Sequence, residues 1–446
     1  MKRINKWLTL GLSCSTVLLL ILGILAGSKK TEPKQIDIQP NTIAISAMSS
    51  ESTDRVLPSA YNSKEHGRSV KAMNQGNTTN CWAYASLAAL EDAALPTKTL
   101  KLSVEHMVKS VSQFSNVYDG GEYTRAVAYL SSWMGPVTLN DNPFGVGISN
   151  AAPEVAGHVQ EVQFIQDKNL DKIKNAVMDY GGVTSSFYAA NLQNFSASPY
   201  YNRDTAAYYY AGVASANHDI VIIGWDDHYS KDNFSLTPPG NGAFLCMNSW
   251  GADFGNEGVF AISYYDVNIG TSSVFYSGIE DTDNYDTIYQ ADQAGWVGQA
   301  GYGKDTAQVA SVYTANADSC IEAVSFYATG PDTSVEVAVR PKFTNAADLQ
   351  NLTYVQSLEY ENAGYYTIRL SEPVFVQAGE KFAVCLKITT PDSEHPAAIE
   401  YESGTAAVGI NIDDGESYLS LDGQYWEHLE ETKACNACVK AFAREI

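Results

Sequence analysis

Four residues whose side chains can act together in catalysis lie at three places in the chain of 446 residues. Gln75 and Cys81 lie six positions apart in the stretch QGNTTNCWAY, His218 precedes an apolar stretch, and Asn248 opens the sequence Asn-Ser-Trp-Gly. A thiol that attacks a carbonyl carbon needs a base to take its proton, and that base needs a partner that orients it. The types and order of these residues predict Cys81 as nucleophile, His218 as general acid and base, and Asn248 as the residue that orients the imidazole.

The local sequence also suggests how the thiol is activated. A free cysteine has a pKa of about 8.5, so most of it is protonated at neutral pH. We expect a helix to begin at Cys81, with Asn80 or Thr79 as its cap, because the positive end of a helix lowers the pKa of a thiol placed there. A neighbouring imidazolium would lower the pKa further. The side-chain amide of Gln75 and the backbone N–H of Cys81 are then suited to bind a developing oxyanion.

The elements that must position these residues follow from apolar periodicity and from turn residues. Residues 55–280 mix helices and strands, and the remainder is rich in short strands separated by Gly, Pro, Asn and Asp, which predicts an α+β domain followed by an all-β sandwich. The predicted helices are 81–95, 103–114, 122–133 and 169–180. The predicted strands are 183–188, 220–225, 243–247, 259–265, 323–328, 334–340, 365–370, 381–389 and 397–401.

Two further features near the catalytic candidates carry alternatives. Trp250 is expected to shield the bond between His218 and Asn248 from water, although an indole is most often simply core. The stretch 198–211 holds five tyrosines, and it is either an aromatic rim that grips a peptide or a packed loop. The other six histidines are interpreted as surface or structural groups.

Charge and the N-terminal residues predict where the protein acts. The net charge is −23, and the last part of the chain, residues 281–446, has only 9 Lys and Arg against 26 Asp and Glu. Such a surface opposes binding to nucleic acid. Residues 1–28 combine a basic start with an apolar stretch, which predicts a signal peptide or a membrane anchor, and we interpret 29–54 as a linker or a short pro-segment. We therefore expect an exported protein, secreted or held at the cell surface, with membrane contact only through an uncleaved N-terminal segment.

The remaining cysteines are few for an exported protein of this length. Cys246 lies in an apolar stretch and is expected to be buried. Cys435 and Cys438 form a CxxC sequence, which we interpret as a disulfide in preference to a zinc site, with Cys320 and Cys385 as alternative partners. No cofactor or metal site is predicted, because the acidic stretch around Asp413, Asp414 and Glu416 lacks the spacing of a known calcium loop and is expected to be a turn.

Together these motifs resemble a papain-like cysteine protease over residues 55–280. The resemblance implies a two-lobed fold, with a helical lobe and a β-rich lobe, and it implies the roles given above for Cys81, His218, Asn248 and Gln75. It also implies that Gly120 and Gly121 bind the substrate backbone. Leu102-Ser103 and the stretch YGGV at 180–183 are similar to family sequences.

The chain also departs from the family pattern. Thr78 and Tyr118 stand where the family usually has a disulfide, and Thr79 stands where glycine is usual. A polar insertion at about 226–242 increases the distance from Cys81 to Asn248 to 167 positions, against about 130–150 in the family. The stretch before residue 55 is shorter than the inhibitory prodomains of many relatives.

Residues 281–446 resemble the lectin-like β-sandwich of some exported bacterial papain-like proteases. The resemblance rests on the strand pattern, on Ser417 to Trp426 and on the ending after Cys438. The function predicted is an exported cysteine endopeptidase that acts on protein or peptide substrates, with surface glycans as a candidate partner of the second domain. Two alternatives remain: a catalytically idle glycan-binding or adhesion protein, and a cell-wall peptide amidase or transpeptidase.

Overall fold

A computed structural model describes residues 35–43, 55–117, 120–143, 145, 153–413 and 415–446. The predicted leader, most of the linker or pro-segment, Tyr118 and Asp414 lie outside these residues. Asp37–Ile446 form one compact unit, and of the other unit, Met1–Ile36, only residues 35 and 36 are described. No helix in the described ranges has the length and hydrophobicity needed to cross a membrane.

The described part of the chain has few helices and many strands. The helices are α1 (Cys81–Ala94), α2 (Val104–Val111), α3 (Tyr123–Ser131), α4 (Leu170–Asp179) and α5 (Leu429–Lys433). The strands up to residue 280 are β1 (Asp37–Pro40), β2 (Ala60–Asn62), β3 (His158–Ile165), β4 (Val183–Phe187), β5 (Tyr201–Asn202), β6 (Ala207–Tyr208), β7 (His218–Asp226), β8 (Ala243–Met247), β9 (Val259–Ser263) and β10 (Ser273–Glu280). The later strands are β11 (Thr287–Tyr289), β12 (Gly298–Gly301), β13 (Thr306–Thr314), β14 (Ser319–Ala328), β15 (Thr333–Arg340), β16 (Gln356–Tyr360), β17 (Ala363–Val376), β18 (Lys381–Thr389), β19 (Ala397–Tyr401), β20 (Ser417–Ser420), β21 (Glu427–His428), β22 (Cys435–Ala437) and β23 (Lys440–Glu445).

Helix α1 is the central helix of the first part of the chain. It is buried on nearly every side, as expected for the apolar sequence CWAYASLAAL. The helix ends before Leu95, whose backbone is extended because the following Pro96 disfavours helical geometry at that position. It packs against β7, so α1 is fixed against the β-rich lobe.

One sheet runs through both parts of the chain. Its strand order is β11-β23-β14-β17-β3-β10-β4-β7-β8-β9-β6-β5, with β2 added beside β7. The parts meet where β17 pairs antiparallel with β3, for example Tyr365 with Val162. Gly364 lies at this junction, and a Cβ there would come within 2.3 Å of the Val162 carbonyl oxygen, so the close pairing requires glycine.

The second part adds two further sheets. The six-stranded sheet has the order β16-β15-β18-β13-β20-β21, and the smaller one has the order β1-β12-β19-β22. The rings of Tyr289 on β11 and Phe382 on β18 lie 5.1 Å apart and join the large sheet to the six-stranded one. This is the sandwich arrangement that the short alternating strands predict.

The two parts of the chain have clusters of their own and also share a core. A cluster around Ile222 and Phe260 belongs to the first part, and one around Phe343 and Trp426 lies within the second. The largest cluster, however, combines Trp82 with Trp296, and it includes residues of α1, α3 and β17. Because apolar surface of both parts is removed from water in one cluster, the two parts stabilise each other.

Two other expectations differ from the structure. All six described cysteines are free thiols, so the interpretation of Cys435 and Cys438 as a disulfide is wrong. Cys438 instead donates to the Gly295 carbonyl oxygen over 3.3 Å, inside the shared core. The second difference is β1, which lies within the segment interpreted as a linker or pro-segment and pairs with β12.

Candidate active site

Helix α1 presents Cys81 as its first residue at the edge of a large cleft. Asn80 is the N-cap residue, as predicted, but its side chain makes no capping hydrogen bond. The free backbone N–H groups of the first turn are therefore not all satisfied by a cap. The Cys81 side chain is largely buried and remains accessible from the cleft.

The imidazole of His218 is held by the side chain of Asn248. Its Nε2 lies 2.8 Å from Asn248 Oδ1, and the backbone N–H of Ser249 donates to the same oxygen over 2.8 Å. Two donors on one atom identify it as the carbonyl oxygen of the amide. Nε2 therefore carries the hydrogen, and the lone pair of the neutral ring lies on Nδ1. A group that must accept a proton from a thiol needs this tautomer.

Packing fixes the ring plane of His218 as well. Trp250 stacks on the imidazole, with ring centroids 4.7 Å apart and an interplanar angle of 27°. Phe187, which pairs with His218 across β4 and β7, meets the imidazole edge-on at 5.7 Å. His218 is only 2% exposed and Asn248 only 3%, so water has little access to the bond between them.

Gln75 is tied to the loop that carries Asn248. The backbone N–H of Gln75 donates to the Ser249 carbonyl oxygen over 2.8 Å, and the Ser249 hydroxyl donates to Gln75 Oε1 over 2.5 Å. Gln75 Nε2 donates one hydrogen to the Thr78 carbonyl oxygen over 2.8 Å. The amide thus has a fixed orientation and keeps a second N–H, and its residue lines the same cleft as Cys81.

The structure brings all the predicted site residues to one cleft of about 1300 Å³. Its lining residues include Gln75, Cys81, Gly120, Gly121, His218 and Trp250, while Asn248 lies behind His218. Gly121 is required for packing, since a Cβ there would lie 2.5 Å from Trp82 Nε1, and Gly120 has a φ of +98°. The backbone beside the cleft therefore takes a path that other residues would obstruct.

Burial decides the charge state of the site without substrate. Desolvation and the charge of Asp219 raise the pKa of the Cys81 thiol to about 11, although backbone N–H groups of Asp219 and of the helix start act in the opposite direction. Desolvation also lowers the pKa of His218 to about 4. The net effect on the thiol is thus opposite to the expected one, because burial outweighs the helix terminus. Both groups favour their neutral forms, so the role predicted for His218 is that of a base towards the thiol.

Sequence reasoning missed Asp219, which follows His218 directly and lines the cleft. It also missed Ser249, whose hydroxyl fixes Gln75, and the entry of Asn41, Thr42 and Ile43 into the cleft wall. Asp219 and Ser249 could have been identified from the sequence, since each is the neighbour of a predicted catalytic residue. The position of Asn41, Thr42 and Ile43 could not, because the polar sequence before residue 55 gives no signal of contact with the cleft.

The tyrosines of 198–211 form part of the core. Tyr201, Tyr208 and Tyr210 are all less than 10% exposed, and none of the five lines the cleft. Phe195 packs between this group and Trp250, at 5.2 Å from Tyr208 and 4.9 Å from Trp250. The packed-loop alternative is therefore correct, and these rings support the catalytic loop from behind. Within the described residues, no group of His, Cys, Asp or Glu is arranged to hold a metal ion.

Two family models match the chain. Residues 57–279, half of the chain, match the papain family cysteine protease model, and residues 288–443 match the model of a lectin-like domain. The chain therefore belongs to the papain family of cysteine proteases. The predicted family, the papain-like fold and the lectin-like second part are confirmed.

Curated relatives match over the first part. The chain is 28% identical over 214 residues to the oryzain gamma chain of Oryza sativa subsp. japonica, and the match covers 46% of this chain and 54% of that protein. It is 27% identical to cathepsin K of Mus musculus, with 45% of this chain and 58% of that protein covered. The chain thus spans a little over half the length of these curated relatives.

A solved structure matches over both parts. The structure of the cysteine protease and lectin-like domains of Cwp84, a surface layer associated protein of Clostridium difficile, superposes with a TM-score of 0.76 at 25% identity. The match covers 96% of each chain. A second Cwp84 structure, determined after propeptide cleavage, gives a TM-score of 0.75 at 26% identity and covers 87% of this chain and 99% of that one.

Proposed function

We propose that this protein is an exported cysteine endopeptidase that hydrolyses peptide bonds through an acyl-enzyme on Cys81. The observation that carries the proposal is the bond of 2.8 Å between His218 Nε2 and Asn248 Oδ1, which places the basic nitrogen of the imidazole opposite the orienting amide. Cys81 and His218 line one cleft, with Cys81 at the first turn of α1. The family of the chain supports the same chemistry.

The reaction follows from the protonation states of the site. As Cys81 Sγ attacks the carbonyl carbon, the thiol proton moves to His218 Nδ1 and the C=O bond electrons move to oxygen. The N–H groups of Gln75 and Cys81 stabilise that oxyanion. The C–N bond then breaks, and the imidazolium gives its proton to the leaving amine. A water molecule attacks the resulting thioester, His218 takes a proton from it, and the product acid leaves with the thiol restored.

The low pKa of His218 has a place in this sequence. A desolvated imidazole binds a proton weakly, but the thiolate that forms beside it stabilises the imidazolium. Since the two charges arise together, each stabilises the other at a largely buried position. The bond to Asn248 also favours the charged ring. The pair is therefore activated by proton transfer within the site.

We further propose that the protein acts at or outside the cell surface and that residues 281–446 position it there, on a glycan or a protein. Support comes from the apolar N-terminal stretch, from the lectin-like match and from the surface-layer association of Cwp84. The domain limits proposed are 1–28 for a signal peptide or anchor, 29–54 for a linker or pro-segment, 55–280 for the protease and 281–446 for the lectin-like part. The position of Asn41, Thr42 and Ile43 in the cleft wall favours the pro-segment interpretation.

The test is turnover of unfolded proteins by the purified full chain, compared with its action on purified cell wall. The proposal predicts fragments from unfolded casein that are absent with Cys81→Ala. The matched control is Cys246→Ala, because Cys246 is a fully buried thiol outside the cleft. Release of wall peptides without cleavage of unfolded proteins would identify the amidase alternative. A folded protein that cleaves neither substrate and binds glycans would identify the adhesion alternative.

A further inference from the structure

The cleft that holds the catalytic residues contains negative charge without a matching positive one. Among the described residues that line it, the carboxylates are Glu122 and Asp219, and none is a lysine or an arginine. Arg125 lies near Glu122 and donates to the Gly120 carbonyl oxygen, but it is not part of the lining. The electrostatic field inside the cleft therefore favours a cation.

Asp219 is the carboxylate of the cleft whose charge acts on Cys81. It follows His218 on β7, and because successive strand residues face opposite sides, its side chain lies on the face that packs towards α1. The backbone N–H of Asp219 and its charge both influence the Cys81 sulfur. Asp219 is thus adjacent to the bond that the enzyme would cut. It is largely buried, yet it remains accessible from the cleft.

The partners of this carboxylate do not neutralise it. The Asp219 carboxylate accepts a hydrogen bond from the Ser186 hydroxyl, which donates to Oδ1 over 2.6 Å. Desolvation raises the pKa of Asp219 to about 6, and the charge of Glu122 acts in the same direction. No ion pair joins Asp219 to a Lys, Arg or His among the residues that the structure describes. A buried charge without a partner costs stability, so its retention needs a reason.

The surroundings of Asp219 suit a long cationic side chain. Small hydroxyl residues line the cleft, namely Ser86, Thr184, Ser185, Ser186 and Ser272, and Ser186 contacts Asp219 directly. Such walls leave space and offer oxygen acceptors to a lysine ammonium or an arginine guanidinium. An acidic substrate side chain would meet two carboxylates instead.

We propose that Asp219 selects substrates with a lysine or arginine side chain within a few residues of the scissile bond. This inference rests on the proposed function, since it names the substrate class of the same site. Glu122, an exposed residue at the N-terminus of α3, adds to the field that attracts the cation. The charge of Asp219 is balanced when the substrate is bound, and its hydrogen bond to Ser186 holds the carboxylate in position.

The first measurement compares kcat/KM for peptides that carry lysine, arginine, norleucine or glutamate at each position around the cleaved bond. We expect wild type to favour lysine over norleucine at one position, and Asp219→Asn to reduce that ratio about tenfold to hundredfold. The ratio is the readout because Asp219 also raises the pKa of Cys81, which affects all substrates alike. Glu257→Gln is the matched control, since it removes a negative charge from an exposed side chain outside the cleft, and it should preserve the preference.

The second measurement makes the result independent of turnover. Binding of the lysine and norleucine peptides to the Cys81→Ala protein is measured by fluorescence anisotropy, with and without Asp219→Asn. Selective binding that Asp219→Asn abolishes would support the inference even if wild type cleaves nothing, in which case only the proposed function fails. An unchanged lysine-to-norleucine ratio in Asp219→Asn, in turnover or in binding, would overturn the inference and leave the proposed function standing.

Discussion

Two buried carboxylates, one in each part of the chain, show how differently the protein treats charge. Asp219 lies in the cleft with a hydroxyl as its hydrogen-bond donor and with Glu122 as a further carboxylate nearby. Asp292 lies in the lectin-like part, and its Oδ1 is 2.7 Å from Lys440 Nζ, with both side chains at most 1% exposed. Burial raises the pKa of both carboxyls, but only at Asp292 does a cation oppose that effect.

The presence or absence of a cationic partner distinguishes a buried carboxylate of the structural core from one in a binding cleft. Lys440 also donates to Gln290 Oε1 and to the Asp292 carbonyl oxygen, both over 3.0 Å, so its ammonium group is held within the protein. In this core the protein itself supplies the cation that faces the carboxylate. In the cleft, no described residue gives Asp219 a cationic partner, and the described part of the chain offers a hydrogen bond to only one nitrogen of the His218 imidazole. The Asp219 carboxylate and the His218 imidazole are therefore available to interact with a substrate, at some cost to the stability of the fold.

The largest effect expected is loss of turnover in a protein that still folds. Replacing His218 with Ala removes the base and should lower kcat by a factor on the order of 10⁴ to 10⁶. The urea unfolding transition should remain cooperative, with a lower midpoint because the lost ring packs between Trp250 and Phe187. The check is casein cleavage together with tryptophan fluorescence in urea. Near-normal kcat in this variant would show that the cleft does not work as described.

The opposite pattern is expected for the buried ion pair. Lys440→Met leaves the Asp292 carboxylate and the nearby Glu400 in the core without a cation, which should lower the free energy of unfolding by about 3 to 5 kcal/mol. Adding Asp292→Asn to Lys440→Met should recover part of the loss. Chemical denaturation of the three proteins measures this. A loss below about 1 kcal/mol would mean that the pair contributes little to the scaffold.

Removal of the orienting amide should have an intermediate effect. In Asn248→Ala the imidazole loses the partner of Nε2 but keeps its stacking on Trp250, so kcat should fall on the order of 10²-fold. Ser249→Ala is a matched comparison, because it frees the Gln75 amide without touching His218. Steady-state kinetics on one peptide suffice. A loss in Asn248→Ala as large as that in His218→Ala would show that stacking alone does not position the ring.

The smallest effect concerns the stability that Asp219 costs. Its pKa in the folded protein is raised from 3.8 to about 6, so the ionised form is disfavoured on folding. Wild type should therefore lose stability as the pH rises from 4 to 6, relative to Asp219→Asn. At pH 8 the variant should be about 1 to 3 kcal/mol more stable, and at pH 4 the two should be equal. Thermal unfolding at both pH values checks this, and a less stable variant at pH 8 would contradict it.

Sequence patterns predicted the fold class and four of the helices, but only some of the strands, and β3, β10 and β13 were missed. Strands 243–247, 381–389 and 397–401 agree with β8, β18 and β19, because short alternating apolar runs bounded by turn residues specify a strand locally. Helix ends differ by one to three residues, as at α2, where Ser103 is the cap instead of the first helical residue. The pairing of β17 with β3 was not predictable in this way. Contacts of such long sequence separation leave no local pattern.

The site likewise has features that local sequence predicts and features that depend on long-range contacts. The residues of the catalytic group follow from chemistry and spacing, and the structure brings them to one cleft, but their roles remain a prediction. The pKa of the thiol was expected to fall and instead rises, because burial depends on the tertiary structure and not on the helix start alone. Asp219 was missed for a similar reason. The sequence shows a carboxylate beside a histidine, but only the tertiary structure shows that no described cation pairs with it.

The most direct test of the account is mass spectrometry of the reduced full chain after exposure to an epoxysuccinyl thiol-protease inhibitor. The account predicts one adduct, confined to Cys81 and absent in His218→Ala. The other five described cysteines serve as internal controls, because Cys246, Cys385, Cys435 and Cys438 are buried and Cys320 lies on β14, away from the cleft. A folded wild type that forms no adduct, or one whose labelling does not depend on His218, would contradict the central claim.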